Sequence, residues 1–324
     1  MSTPRLEVAG SRERARYRRG LRRYRYVSTT LRVVVGMPSV VLSGVIVGRL
    51  GGLFGLWGTI IAVELWLLSI VPVLDGARRW RREKLAGLVA PTPEQARRLT
   101  PAWREVVDAA GVSEADYVIS VPESEKVRGV AYDGRVVEIS SAAVHRMTPA
   151  QLRGLLAHEL GHLLSATRGV WYSMLYWYAL PLHALPAAVS TAFEVRSRRS
   201  PRTGILAATE AAAWATVIGL LLWLLGLRGA LIAIVLLVAQ RLATLAIDRR
   251  DERVADRVAV DLGFGAGVLA WLRENGSESR AAGAGRALRG RLLLTMLSTH
   301  PFVDDRIRVV EARIHVRERD RPST

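Results

Sequence analysis

The chain contains no cysteine, which excludes disulfides, thiol catalysis and any cysteine-ligated metal. Lysine is nearly as scarce: Lys84 and Lys126 are the only two, so the formal charge of +17 rests almost wholly on arginine. Histidine is rare as well, with six in 324 residues. There is no internal repeat. What the chain has in abundance is apolar sequence, for 50% of its residues are hydrophobic and they are strongly clustered.

Four apolar stretches, at about 31–48, 52–74, 205–225 and 230–247, are long enough or nearly so to cross a bilayer. The first is not read as a cleavable signal peptide. A long basic segment precedes it, no clear small-residue cleavage site follows, and another apolar stretch comes at once. Arginines crowd the flanks, from Arg14 to Arg25, Arg78 to Arg82, Arg196 to Arg202 and Arg249 to Arg253, whereas the expected outer turns carry only Arg49 and Arg228. That is the positive-inside pattern of a multi-pass protein of the cell membrane, with both termini and residues 90–165, 194–203 and 250–324 in the cytoplasm. No nucleic-acid motif accompanies the charge, so membrane lipid is the expected partner of the arginines and nucleic acid is not.

Between residues 148 and 164 the pattern turns from membrane to chemistry. Thr148 is placed to cap a helix, Pro149 sits at its first position, and Gln151 falls where a capping-box partner belongs. Leu152, Leu155, Leu156, Leu160, Leu163 and Leu164 supply a broad apolar surface for burial. Inside this helix lies His158-Glu159-Leu160-Gly161-His162. Histidines four apart share one helix face, so both imidazoles can bind one Zn²⁺ while the glutamate serves as general base. A catalytic zinc needs a third protein ligand. In Arg249-Arg250-Asp251-Glu252-Arg253-Val254-Ala255-Asp256, Glu252 and Asp256 share a helical face, which suits either a ligand with a carboxylate orienting a histidine or a solvated helix of mixed charge.

The HExxH helix, the apolar stretches after it, the E-x-x-A-D of residues 252–256, then Ser298-Thr299-His300-Pro301 and Arg306-Ile307 together resemble the HtpX-like family of membrane zinc metallopeptidases, which includes the CAAX prenyl endopeptidases. The resemblance covers roughly residues 90 to 315. It implies that Glu252 is the third zinc ligand and Asp256 a partner of a ligating histidine. It also implies that His300 and Arg306 lie near the active site, where either suits oxyanion stabilisation. The expected fold is mainly α: a helical transmembrane bundle with a zincin-type (gluzincin) α+β catalytic domain carrying a small β-hairpin or sheet. The expected activity is zinc-dependent endoproteolysis of protein or peptide substrates at the cytoplasmic membrane face, in quality control or processing. A catalytically silent zinc-binding scaffold or regulator, and a narrow CAAX-type processing protease, stand as the alternatives.

The expected organisation runs from a basic arm, mobile or lying on the membrane surface, at 1–28 to a transmembrane hairpin at 29–76, with its turn near Arg49-Leu50-Gly51-Gly52. The first part of the catalytic domain, 77–169, contains a strand at 117–121 and a hairpin of Val130 to Ile139 around Asp133-Gly134, a strong turn signal. In related peptidases a strand here holds extended substrate, and Arg128-Gly129-Val130-Ala131 departs from the family's usual N-A-F-like element. His162 and Glu252 must meet at one metal, so an even number of spans must separate them. The segment 170–203 is therefore read as interfacial or re-entrant, consistent with Trp171, Tyr172, Tyr176, Trp177 and Tyr178 and with the interruptions at Pro181, His183 and Pro186. A second transmembrane hairpin, 204–247, turns at Gly226 to Gly229, and 248–324 completes the catalytic domain with a flexible loop at 276–290. Glu64, mid-span, is either a pairing group, with Arg241 as a partner, or a buried protonated carboxyl. His145, His183 and His315 match no ligand position.

Overall fold

Thr92 and Thr148 each open a helix by the same device. Helix α3 (Pro93–Ala110) starts on a capping box in which Gln95 N–H donates to Thr92 and Thr92 N–H donates to Gln95. The HExxH helix α5 (Pro149–Ser165) repeats the arrangement with Thr148 and Gln151. A computed structural model describes residues 11–71, 85–132, 134–165, 170–182, 203–283 and 303–319. They fall into two compact units, one of residues 1–30, 83–169 and 245–324, the other of 31–82 and 170–244.

The first unit is built around α5, which is buried along most of its circumference, including Leu152, Leu155, Leu156 and Leu160. Helix α3 covers it with Leu99, Trp103, Val106 and Val107; helix α8 (Gly265–Gly283) adds Val268 and Leu272; helix α9 (Val303–Arg319) adds Val310. A three-stranded sheet closes another side, in the order β1 (Val118–Ser120), β3 (Val136–Ile139), β2 (Gly129–Tyr132). Strand β3 pairs in parallel with β1 and antiparallel with β2, Gly129 opposite Ile139. Gly134 takes a positive φ of 73°, the left-handed turn that the Asp-Gly pair requires. Short α4 (Ser141–Arg146) leads from β3 to α5.

Residues 11–28, within the expected basic arm, are helical in α1 (Ser11–Gly52), and Tyr17, Tyr24 and Ser28 donate hydrogen bonds to Asp261 and Asp251 of the same unit. Residues 276–283, expected in a flexible loop, continue helix α8, and 284–290 lie outside the described residues.

In the second unit, α1 turns at Leu53 and Phe54 into α2 (Gly55–Leu68). The two helices meet at glycines, where a Cβ on Gly58 would stand 2.4 Å from the Gly51 carbonyl oxygen. Helix α6 (Val170–Tyr178) is anchored by its aromatics: Trp177 donates to Ser69 at 2.7 Å and Tyr178 to the Leu67 carbonyl at 2.8 Å. Helix α7 (Thr203–Asp261) breaks at Gly226, whose φ of 67° only glycine adopts readily, between the two apolar stretches read from sequence. Among the described residues, Arg19–Gly52 and Leu222–Asp261 are long and apolar enough to cross a membrane. Helix α2 buries no side chain, and Phe54 and Trp57 are 84% and 74% exposed. Glu64 is exposed on α2.

Candidate metal centre

His158 and His162 stand one turn apart on α5, and their Nε2 atoms converge to 3.1 Å. Glu252 reaches both from α7, with Oε2 3.7 Å from His158 Nε2 and Oε1 3.5 Å from His162 Nε2. Gly161 permits the approach. A Cβ there would lie 2.9 Å from the Ala255 backbone, so any side chain at 161 would wedge α5 away from α7. Two ligand atoms on one tetrahedral Zn²⁺, each about 2.0–2.1 Å from it, sit about 3.3 Å apart. The three observed separations straddle that value, and the donor set of two imidazoles and a carboxylate is one that zinc takes. The residues therefore fit a catalytic zinc.

Asp256, one turn beyond Glu252, accepts from His158 Nδ1 at 2.9 Å. The hydrogen bond commits the Nδ1 proton to the carboxylate and leaves the Nε2 lone pair facing the other ligand atoms. Arg306 of α9 holds both oxygens of Asp256, Nε donating to Oδ2 at 2.8 Å and Nη2 at 2.7 Å to Oδ1, the oxygen that also meets His158. Its Nη1 lies 3.2 Å from Glu252 Oε2. Trp271 of α8 packs over this network, its ring centre 5.6 Å from the guanidinium carbon and 5.7 Å from the His158 ring centre. Asp251, although adjacent to Glu252, faces the N-terminal helix instead.

Burial sets the charges here. Glu159 is 4% exposed, and burial pushes its carboxyl up, with His158 and His162 opposing. A Cβ on Gly129 of β2 would come 2.6 Å from Glu159 Oε1, so this edge strand passes against the glutamate with only backbone between them. Burial pulls His162 down, but its hydrogen bond to Glu252 and the charges of Glu159 and Glu252 outweigh that and raise it. Burial also disfavours the charged Asp256, yet the Arg306 guanidinium and His158 hold its carboxyl down at about 2. Arg306 is likewise penalised by burial and raised on balance by Asp256 and Glu252. It is a fixed cation.

The structure thus brings together His158, Glu159, His162, Glu252, Asp256 and Arg306. His300 lies outside the described residues, as does His183. His145 and His315 are exposed and remote from the cluster in role, His315 pairing with Glu318. Sequence reasoning missed Trp271, which carries no periodic or motif signal, and the close approaches at Gly129 and Gly161. The guanidinium of Arg306, a residue expected near the active site, is engaged with Asp256 and Glu252.

Residues 93–314 match the sequence profile of peptidase family M48. The chain is 24% identical over 314 residues to a "Protease HtpX homolog" of Bacillus pumilus, an alignment covering 89% of this chain and 95% of that protein. It is 32% identical over 141 residues to "Protease HtpX homolog 1" of Streptomyces coelicolor, covering 41% of this chain and 44% of that one.

Proposed function

This chain belongs to peptidase family M48 and is HtpX-like, and from that premise we propose that it is a membrane-embedded zinc endopeptidase acting at the cytoplasmic face of the cell membrane. The observation that carries the reading is the convergence of His158, His162 and Glu252, with Asp256 fixing the His158 tautomer. Bound there, Zn²⁺ would supply Lewis-acid activation of water and of the scissile carbonyl. Glu159 takes the proton of the attacking water and delivers it to the leaving amine, and its raised carboxyl suits it to both steps. A structural metal site has no use for a buried base, so Glu159 beside a full ligand set disfavours a silent scaffold.

Arg306 keeps Asp256 ionised and Glu252 aimed, and His300 is proposed as the donor to the developing oxyanion. Residues 29–76 and 204–247 form the two transmembrane hairpins, and 77–169 with 248–324 form the catalytic domain. The exposed apolar surface of α1, α2 and α7 supports the membrane assignment, since water would penalise it and lipid would not. Glu159→Gln in the purified full chain tests the reading. Zinc content should stay stoichiometric while cleavage of an unfolded membrane-protein reporter falls about two to four orders of magnitude. Turnover on the order of a tenth of wild type or more would sink the base assignment.

A further inference from the structure

Asp251 is 4% exposed and immediately precedes Glu252, yet its carboxylate turns away from the histidines. It meets two hydroxyls of α1. Tyr24 donates to Oδ1 at 2.6 Å, and Ser28 lies 3.1 Å from Oδ1 and 3.4 Å from Oδ2. Tyr24 and Ser28 are four residues apart, so one face of α1 presents both. Arg250 adds a third contact, its guanidinium carbon 5.1 Å from the centre of the Tyr24 ring.

Successive helical residues point about 100° apart. Asp251 and Glu252 therefore divide one turn of α7 between two partners, α1 on one side and the HExxH helix on the other. A buried carboxylate left without its donors is costly. The arrangement satisfies Asp251 at one rotation and one register of α7, and an apolar side chain at 251 would tolerate several. Glu252 inherits that rotation.

We infer that Tyr24 and Ser28 are positioning residues for the metal centre: acting through Asp251, they set the rotation of α7 that aims Glu252 at His158 and His162. The inference rests on Glu252 being a zinc ligand. It assigns the basic N-terminal helix a part in the peptidase site itself.

The test uses the full chain in detergent, Zn²⁺ affinity by chelator competition, and the visible absorption of the Co²⁺-loaded protein as a reporter of ligand geometry. In Tyr24→Phe/Ser28→Ala, Zn²⁺ affinity should fall about tenfold, the lower end of the effect of partners behind the ligands, and the Co²⁺ spectrum should change. Tyr24→Phe alone removes one oxygen, keeps the ring under Arg250, and should give part of the loss. Tyr17→Phe breaks a comparable bond on the same helix, Tyr17 to Asp261 at 3.2 Å, and should leave affinity and spectrum at wild type. A double variant matching Tyr17→Phe in both readouts overturns the inference and spares the metal centre. If Glu252→Gln binds Zn²⁺ as wild type does, or wild type binds none, the ligand assignment fails and the inference falls with it.

Discussion

Arg306 brings a full positive charge into a site that must also attract a metal cation, which only its two carboxylate partners make tolerable. Its value lies in shape as much as in charge, because the guanidinium fork meets both oxygens of Asp256 at once. Arg306→Lys keeps the charge and loses the fork. Zinc affinity should then fall about tenfold or more, with turnover falling alongside it. Chelator competition run beside kinetics separates this from a direct part in the transition state, in which turnover would drop while zinc stayed bound. Asp256 makes a pH prediction. Its folded pKa of about 2 lies below the ordinary 3.8, so between those values the unfolded chain binds the proton and the folded chain does not. Stability from this group is therefore present above about pH 4 and is lost as pH falls toward 2. Thermal melts of Asp256→Asn across that window should show a shallower pH slope than wild type.

Two close helix crossings fix the elements that carry the chemistry, and they make separable predictions. At Gly161, α5 crosses α7; at Gly154 it crosses α8, where a Cβ would stand 2.5 Å from the backbone of Gly267 and Val268. Forcing a methyl group into either crossing should cost about 1–3 kcal/mol of stability. Gly161→Ala displaces the turn that carries Glu252 and Asp256, so metal content should collapse with the loss of stability. Gly154→Ala strains a crossing that carries no ligand, and the surviving folded protein should keep its zinc. Melting temperature and metal content measured on both variants check the pair. Equal metal loss in both would mean that α5 and α7 are not held in register at Gly161.

At the scale of the whole molecule, the surface of residues 31–71 and 222–244 is inverted relative to a water-soluble protein, with Trp57, Leu65, Trp223 and Val235 each well exposed. In the proposed orientation, the arginine distribution puts the two ends of the chain's apolar stretches on different sides of the membrane. The absence of cysteine makes this easy to test. A single cysteine at exposed Ser113 should resist a membrane-impermeant maleimide on intact cells, whereas one at Leu227, beside the break at Gly226, should react. Labelling of the Ser113 position from outside would reverse the proposed orientation.

The sequence by itself determined whatever depends on neighbours along the chain. Both capping boxes, the strands around Asp133-Gly134, the break near Gly226 and the shared face of His158 and His162 are local properties, set by propensity, turn chemistry and the 3.6-residue period. Glu252 and Asp256 were legible only through a resemblance, because an acidic pair on a helix reads equally as a solvated face. Only the tertiary structure decided where Asp251, Glu252 and Asp256 each point, since that depends on how α7 is rotated between α1 and α5. The same holds for Trp271 over Arg306, for the helical N-terminus bound to Asp251 and Asp261, and for Arg306 as a clamp on Asp256. Their partners lie from 35 to 244 residues away along the chain, and no local pattern encodes which distant side chain a buried charge will find.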